Sequence, residues 1–136
     1  MNPSKVQIYI VDDDESVCRA LKRLLTAYNY AVRTFSSAEE FFSAIPNSAS
    51  GCLILDVHLP GLKGWEVQER LLKSGSQRPI IVITGDGDPE LKELVLEAGA
   101  VGFLQKPLNS YALIDAVNGV LNNEIGMVNT NEAVYV

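Results

Sequence analysis

Residues 7–15 read QIYIVDDDE: an unbroken apolar run that passes, without any spacer, into four consecutive acids. A strand with one wet face alternates apolar and polar residues, whereas one covered on both faces reads as a continuous apolar run, the mark of a parallel sheet. The same grammar recurs in CLILD at 52–56 and IIVIT at 80–84, where apolar runs again end abruptly in a polar residue. Two more short apolar runs complete the set, so the predicted strands are Val6–Val11, Ala31–Phe35, Cys52–Leu55, Ile80–Ile83 and Val101–Leu104.

Helical spacing fills each interval. From Asp14 to Tyr28 the residues Val17, Leu21, Leu24, Leu25 and Tyr28 form one apolar stripe. Ser37-Ala-Glu-Glu40 is a capping-box pattern that opens a second helix presenting Phe41, Phe42 and Ile45 and stopping at Pro46. A third helix, Trp65–Lys73, presents Val67, Leu71 and Leu72 and ends near Gly75. A fourth starts at Asp88-Pro89, a cap followed by proline in the first turn, carries Leu91, Leu94, Val95 and Ala98, and closes at Gly99. The fifth covers Asn109 to Asn122. Strict β-α alternation predicts an α/β fold, a doubly wound parallel sheet of five strands. Its domain spans 1–122, and the Asn-rich stretch 123–136 reads as a C-terminal tail or linker stub.

With 136 residues the chain has the length of one domain. Its net charge of −6 argues against direct nucleic-acid binding, since phosphate affinity is mostly electrostatic. No apolar run approaches the roughly 20 residues needed to span a bilayer, and the N-terminus lacks a signal-peptide layout. Cys18 and Cys52 lie in apolar segments without a CxxC spacing and are expected to be buried free thiols. These features predict an intracellular, cytoplasmic protein.

In open parallel sheets ligands bind beyond the carboxyl ends of the strands. The residues there are Asp12, Asp13, Asp14 and Glu15 after the first strand, Asp56 after the third, Thr84 after the fourth and Lys106-Pro107 after the fifth. Capping and helix-dipole preference account for Asp14 and Glu15. They do not account for Asp56, since no helix begins until about Gly64. Gathered carboxylates repel unless a cation intervenes, and an all-oxygen set with open positions suits Mg²⁺. A threonine hydroxyl and a lysine ammonium beside such a group make a phosphoryl-binding arrangement. Asp56 is then the carboxylate placed to accept the phosphoryl group as an acyl phosphate. His58, the only histidine, falls in the loop DVHLPG and is read as solvent-facing. TGDGD at 84–88 is not a GxxxxGK phosphate loop, so a nucleotide site is not supported.

Taken jointly, YIVDDDESV, FSSAEEF, LILDVHLPGLKG, IIVITGDGD and AGAVGFLQKP resemble the response-regulator receiver domain, the CheY-like fold, over about Val6 to Leu121. The wording TFSSAEEF and ITGDGD looks most like the FixJ-type receivers, which often precede a DNA-binding helix-turn-helix. The resemblance implies a flavodoxin-like (βα)5 sheet of strand order 2-1-3-4-5. It implies that Asp56 takes a phosphoryl group from the phosphohistidine of a sensor histidine kinase. Mg²⁺ would be held by Asp12, Asp13, Asp56 and the backbone carbonyl of His58. Thr84 would bond a phosphoryl oxygen, Lys106 would pair with it across a Lys106–Pro107 peptide that is often cis, and Phe103 would be the switch aromatic. Movement of Thr84 and Phe103 would remodel the face of the fourth helix, fifth strand and fifth helix for homodimerisation or partner binding. On this reading the chain is a phosphorylated signalling switch rather than an enzyme, though it assists its own phosphorylation and dephosphorylation. It regulates transcription through an output domain the chain lacks, unless it stands alone.

Departures from the pattern are modest: His58 and Asp86 could flank the phosphoryl group and alter its lifetime, and Phe103 has no hydroxyl, so its switch must work by packing. A haloacid-dehalogenase-like phosphatase would want an Asp where His58 stands, and a flavodoxin-type carrier would lack carboxylates after the first strand. A pseudo-receiver would not keep Asp12, Asp13, Asp56, Thr84 and Lys106 together.

Overall fold

Residues 7–57, 64–73, 78–85 and 89–122 are described in a computed structural model. Within them strands and helices alternate: β1 (Gln7–Val11), α1 (Glu15–Ala27), β2 (Ala31–Phe35), α2 (Ala38–Ala44), β3 (Cys52–Asp56), α3 (Gly64–Lys73), β4 (Ile80–Thr84), α4 (Pro89–Glu97), β5 (Gly102–Gln105) and α5 (Ser110–Asn122). All neighbouring strands pair in parallel, in the order β2-β1-β3-β4-β5.

Every residue of β3 and β4 is buried, which explains their unbroken apolar spelling. Alternate side chains supply two core layers. Ile8, Ile10, Cys52, Ile54, Ile81 and Ile83 meet Leu21 and Leu25 of α1 and Leu113 and Val117 of α5. Tyr9, Val11, Leu53, Leu55 and Val82 meet Phe41 of α2 and Val95 of α4 on the other face. Full burial of each such leucine or isoleucine is worth roughly 1.5–3 kcal/mol. Phe41 anchors the second layer through edge contacts with Tyr9 and Phe35. Arg70 of α3 lies over the Phe42 ring on the same side. Cys18 and Cys52 are both buried and free, as the sequence predicts.

Several expectations need correction. Tyr28, Leu72 and Leu94 are exposed instead of joining the apolar stripes. Tyr28 is the C-cap of α1, past the last regular turn. On α4, buried Val95 and half-buried Leu91 set the inward face at i and i+4, which leaves Leu94 at its margin. Val101 is also exposed and precedes β5, although its N–H bonds the Ile80 carbonyl. The capping box of α2 is half as expected: the Ser37 hydroxyl accepts from the Glu40 N–H at 3.1 Å. The Glu40 carboxylate reaches back not to Ser37 but to the hydroxyl (2.7 Å) and N–H (3.3 Å) of Ser36. The side-chain packing expected of Trp65, Val67 and Leu71, and the tail 123–136, lie outside the described residues.

Candidate functional site at the strand carboxyl ends

The convergence of the polar residues follows from strand alternation. Asp12, Asp56 and Lys106 each stand two residues beyond Ile10, Ile54 and Leu104, which share one core layer. Since β1 adjoins β3, and β4 separates β3 from β5, these residues arrive at one rim from three strands. Asp12, Asp56 and Thr84 are buried to 1%, 4% and 0% exposure, so their polar groups are committed to the site and not to bulk water.

The carboxylates of Asp12, Asp13 and Asp56 each offer an oxygen, and these lie within 4.8 Å of one another. Asp12 is oriented from two sides: its Oδ1 accepts the Asp14 N–H at 2.9 Å, and its Oδ2 pairs with Lys106 Nζ at 2.7 Å. The same ammonium reaches Asp56 Oδ2 at 3.4 Å. Lys106 is fixed in turn through its backbone N–H, which donates to the Thr84 carbonyl at 2.7 Å, and the Lys106–Pro107 peptide is cis. The Cys18 thiol donates to the Asp12 carbonyl at 3.3 Å, tying α1 to the same turn. Asp14 has its own task as N-cap of α1, accepting from the N–H groups of Ser16 and Val17.

Burial, then the charge of Asp56, pushes the Asp12 carboxyl above its usual range, outweighing the opposing Lys106 and Asp14 contacts. Burial pulls the Lys106 ammonium down, but its bonds and charges with Asp12 and Asp56 outweigh that and raise it overall. The Ser16 hydroxyl and N–H hold Asp14 below the usual range. Burial pushes the Cys18 thiol up to about 11 and Cys52 up to about 12, so neither is a ready nucleophile. The site thus gathers more negative charge than one lysine balances. Its donors are hard oxygens, which fit a small divalent cation such as Mg²⁺.

The sequence-predicted Asp12, Asp13, Asp56, Thr84 and Lys106 therefore assemble at one end of the sheet. Phe103 sits one layer below: it pairs with Val82, two residues before Thr84 on the same face, and is half-buried against that core layer. His58 and Asp86 lie outside the described residues. The supporting contacts from the Asp14 N–H and the Cys18 thiol had no sequence signal, because each depends on where a turn brings the backbone.

A profile of the response regulator receiver domain matches residues 8–118. The chain is 41% identical over 121 residues to the response regulator protein TmoT of Ectopseudomonas mendocina, covering 89% of this chain and 55% of that protein. It is 35% identical over 118 residues to the transcriptional regulatory protein FixJ of Bradyrhizobium diazoefficiens, covering 87% of this chain and 58% of FixJ. The crystal structure of FixJ-N superposes with a TM-score of 0.80 at 32% identity, covering 91% of this chain and 99% of that one. The chain belongs to the response regulator receiver domain family, the phosphotransfer modules of two-component systems. It spans little more than half the length of the curated relatives it matches. Among the described residues no helix is long and apolar enough to cross a membrane.

Proposed function

We propose that Asp56 accepts a phosphoryl group from the phosphohistidine of a sensor histidine kinase, and that the folded unit 1–122 is the switch so modified. The observation that carries this reading is the meeting of Asp12, Asp13 and Asp56 within 4.8 Å, spanned by the Lys106 ammonium. Asp12, Asp13 and Asp56, together with the His58 backbone carbonyl that the receiver resemblance implies, would hold Mg²⁺. Bound there, the ion supplies charge neutralisation for the transferring phosphoryl oxygens. Asp56 attacks as the carboxylate. Lys106, already held between Asp12 and Asp56, pairs with the added phosphoryl group, and the Thr84 hydroxyl donates to one of its oxygens.

Movement of Thr84 toward the new charge frees space beneath it on the face it shares with Phe103. Phe103, half-buried and without a hydroxyl, turns inward by packing alone. That changes the face of α4, β5 and α5, where Leu94, Leu96 and Val101 stand exposed, and favours a homodimer. The same residues assist hydrolysis of the phosphate, so the protein is a timed switch with no separate substrate. We place it in the cytoplasm, in the control of transcription that the name of its FixJ relative suggests.

A small phosphodonor with Mg²⁺ is expected to add one phosphoryl group, read by intact mass, and Asp56→Asn to abolish the gain. Full labelling of that variant overturns the assignment. Light scattering with and without a phosphate mimic checks the dimer, and an unchanged mass at high concentration counts against it.

A further inference from the structure

Asp12 and Asp13 are consecutive, and consecutive side chains on an extended chain point to opposite faces. Their carboxylates nonetheless each bring an oxygen within 4.8 Å of the other and of Asp56. Both can face one ion only if the chain turns at the peptide that joins them. It does: β1 ends at Val11 and the chain bends at Asp13. The Asp12 N–H donates to the Phe35 carbonyl at 3.0 Å, the Asp12 Oδ1 accepts the Asp14 N–H at 2.9 Å, and the Asp12 carbonyl accepts the Cys18 thiol at 3.3 Å. With Lys106 on Oδ2 at 2.7 Å, both carboxylate oxygens of Asp12 are engaged, and a cation would draw on the same oxygens. The Cys18 contact differs. It grips the main chain, on the carbonyl of the Asp12–Asp13 peptide, and leaves the carboxylates free. The donor is itself fixed: Cys18 is 9% exposed, lies in the first turn of α1, and packs in the core layer that holds Ile8, Ile10 and Leu21. Its own N–H bonds the Asp14 carbonyl at 3.1 Å.

We propose that Cys18 is a positioning residue for the divalent cation: its thiol, anchored in the core by α1, fixes the Asp12–Asp13 peptide so that both acids face one ion. The proposal rests on Asp12, Asp13 and Asp56 being the metal ligands. Two ligands joined by a peptide free to rotate must be ordered when the ion binds, and that ordering lowers affinity. A pair already turned binds without that cost. Groups behind the ligands set metal affinity in this way although they never touch the metal. A thiol is a weak donor, so its effect falls toward the low end of what such groups supply. Cysteine suits the position because it packs as a small hydrophobe and still carries a donor. Valine or alanine would only pack there, and serine would donate at the expense of the apolar layer.

Urea unfolding of the full chain across a Mg²⁺ series gives the stability in chelator and the Mg²⁺ dissociation constant together. Cys18→Val keeps the bulk and removes the donor, and Mg²⁺ affinity should fall about threefold to tenfold. Cys18→Ala removes the donor without adding bulk and should show the same fall, so it carries the comparison should valine not fit. Cys18→Ser sets a hydroxyl donor in place of the thiol and should bind Mg²⁺ nearly as the parent does, even where it is less stable in chelator. Cys52→Val alters the other buried thiol of this layer, at the end of β3 opposite Asp56, and should leave Mg²⁺ affinity unchanged. Parental affinity in Cys18→Val and Cys18→Ala overturns the role of Cys18 while leaving the acids as the metal site. Equal losses in Cys18→Ser, or in Cys52→Val, do the same. No Mg²⁺ binding by the unaltered chain overturns the metal site and the proposal together.

Discussion

Lys106 stands nearer to Asp12 than to Asp56: its Nζ lies 2.7 Å from Asp12 Oδ2 and 3.4 Å from Asp56 Oδ2. The ammonium thus sits between the first and third strands' acids as an internal counter-ion, and any divalent cation that binds there shares those oxygens with it. The predictions below start from this competition.

Lys106→Gln removes the counter-ion and leaves the carboxylates repelling each other. With the lysine side chain 21% exposed, the metal-free protein should lose about 1–3 kcal/mol, less than for a fully buried pair. Mg²⁺ should then bind about threefold to tenfold more tightly, because it no longer displaces a cation. Urea unfolding across a Mg²⁺ series measures both, and an unchanged Mg²⁺ dependence would refute the competition.

Asp12→Asn tests the raised Asp12 carboxyl. A group whose pKa is raised on folding contributes stability that is fully present below its ordinary value of 3.8 and lost as pH rises through the folded value. In chelator the variant should therefore gain on the parent as pH rises from about 4 to 7. Mg²⁺ at tenfold its dissociation constant should stabilise the parent by about 1.4 kcal/mol at pH 7, and the variant far less. Parallel pH profiles in chelator would contradict the argument.

Arg78 is buried and pairs with no carboxylate among the described residues. Its guanidinium donates to the Pro46 carbonyl at 3.0 Å and the Ala49 carbonyl at 2.9 and 3.2 Å, and it lies over the Tyr9 and Phe41 rings. Arg78→Ala should cost about 2–4 kcal/mol, from lost hydrogen bonds, ring contact and packing. Mg²⁺ affinity should not change, since the strap holds the amino end of the sheet. Denaturation and Mg²⁺ titration of the same variant separate the two.

Backbone sign gives a matched pair. Asn29 has φ 71°, so Asn29→Gly should be neutral or stabilising by up to about 1 kcal/mol. Gly51 has φ 130°, and a Cβ there would stand 2.5 Å from the Gln7 carbonyl oxygen, so Gly51→Ala should destabilise by about 2 kcal/mol or more. Thermal melts decide, and similar shifts in both would be the wrong outcome.

The strands were legible in the sequence because a strand covered on both faces can be spelled almost only one way. β2 was placed residue for residue, and the boundaries of β1 and β3 to β5 moved by only one residue. The acids and Thr84 were legible because each interrupts an apolar run at its carboxyl end. Leu72 and Leu94 misled, since helical periodicity gives the inward direction only to within a residue at the margin of a face. Arg78 gave no signal: an arginine before an apolar run looks like a surface flank, and only the approach of two carbonyls and two rings makes it a buried strap.

The amino-acid order by itself determined the element types, their alternation and the identity of the polar residues at the strand ends, because those depend on local spacing and burial along one segment. Only the tertiary structure decided that Lys106 lies closer to Asp12 than to Asp56, and that the Asp14 N–H and the Cys18 thiol hold the Asp12 turn. Those are distances between groups on different strands and helices. They are set by sheet order and by how helices settle on the two core layers, and no local pattern encodes them.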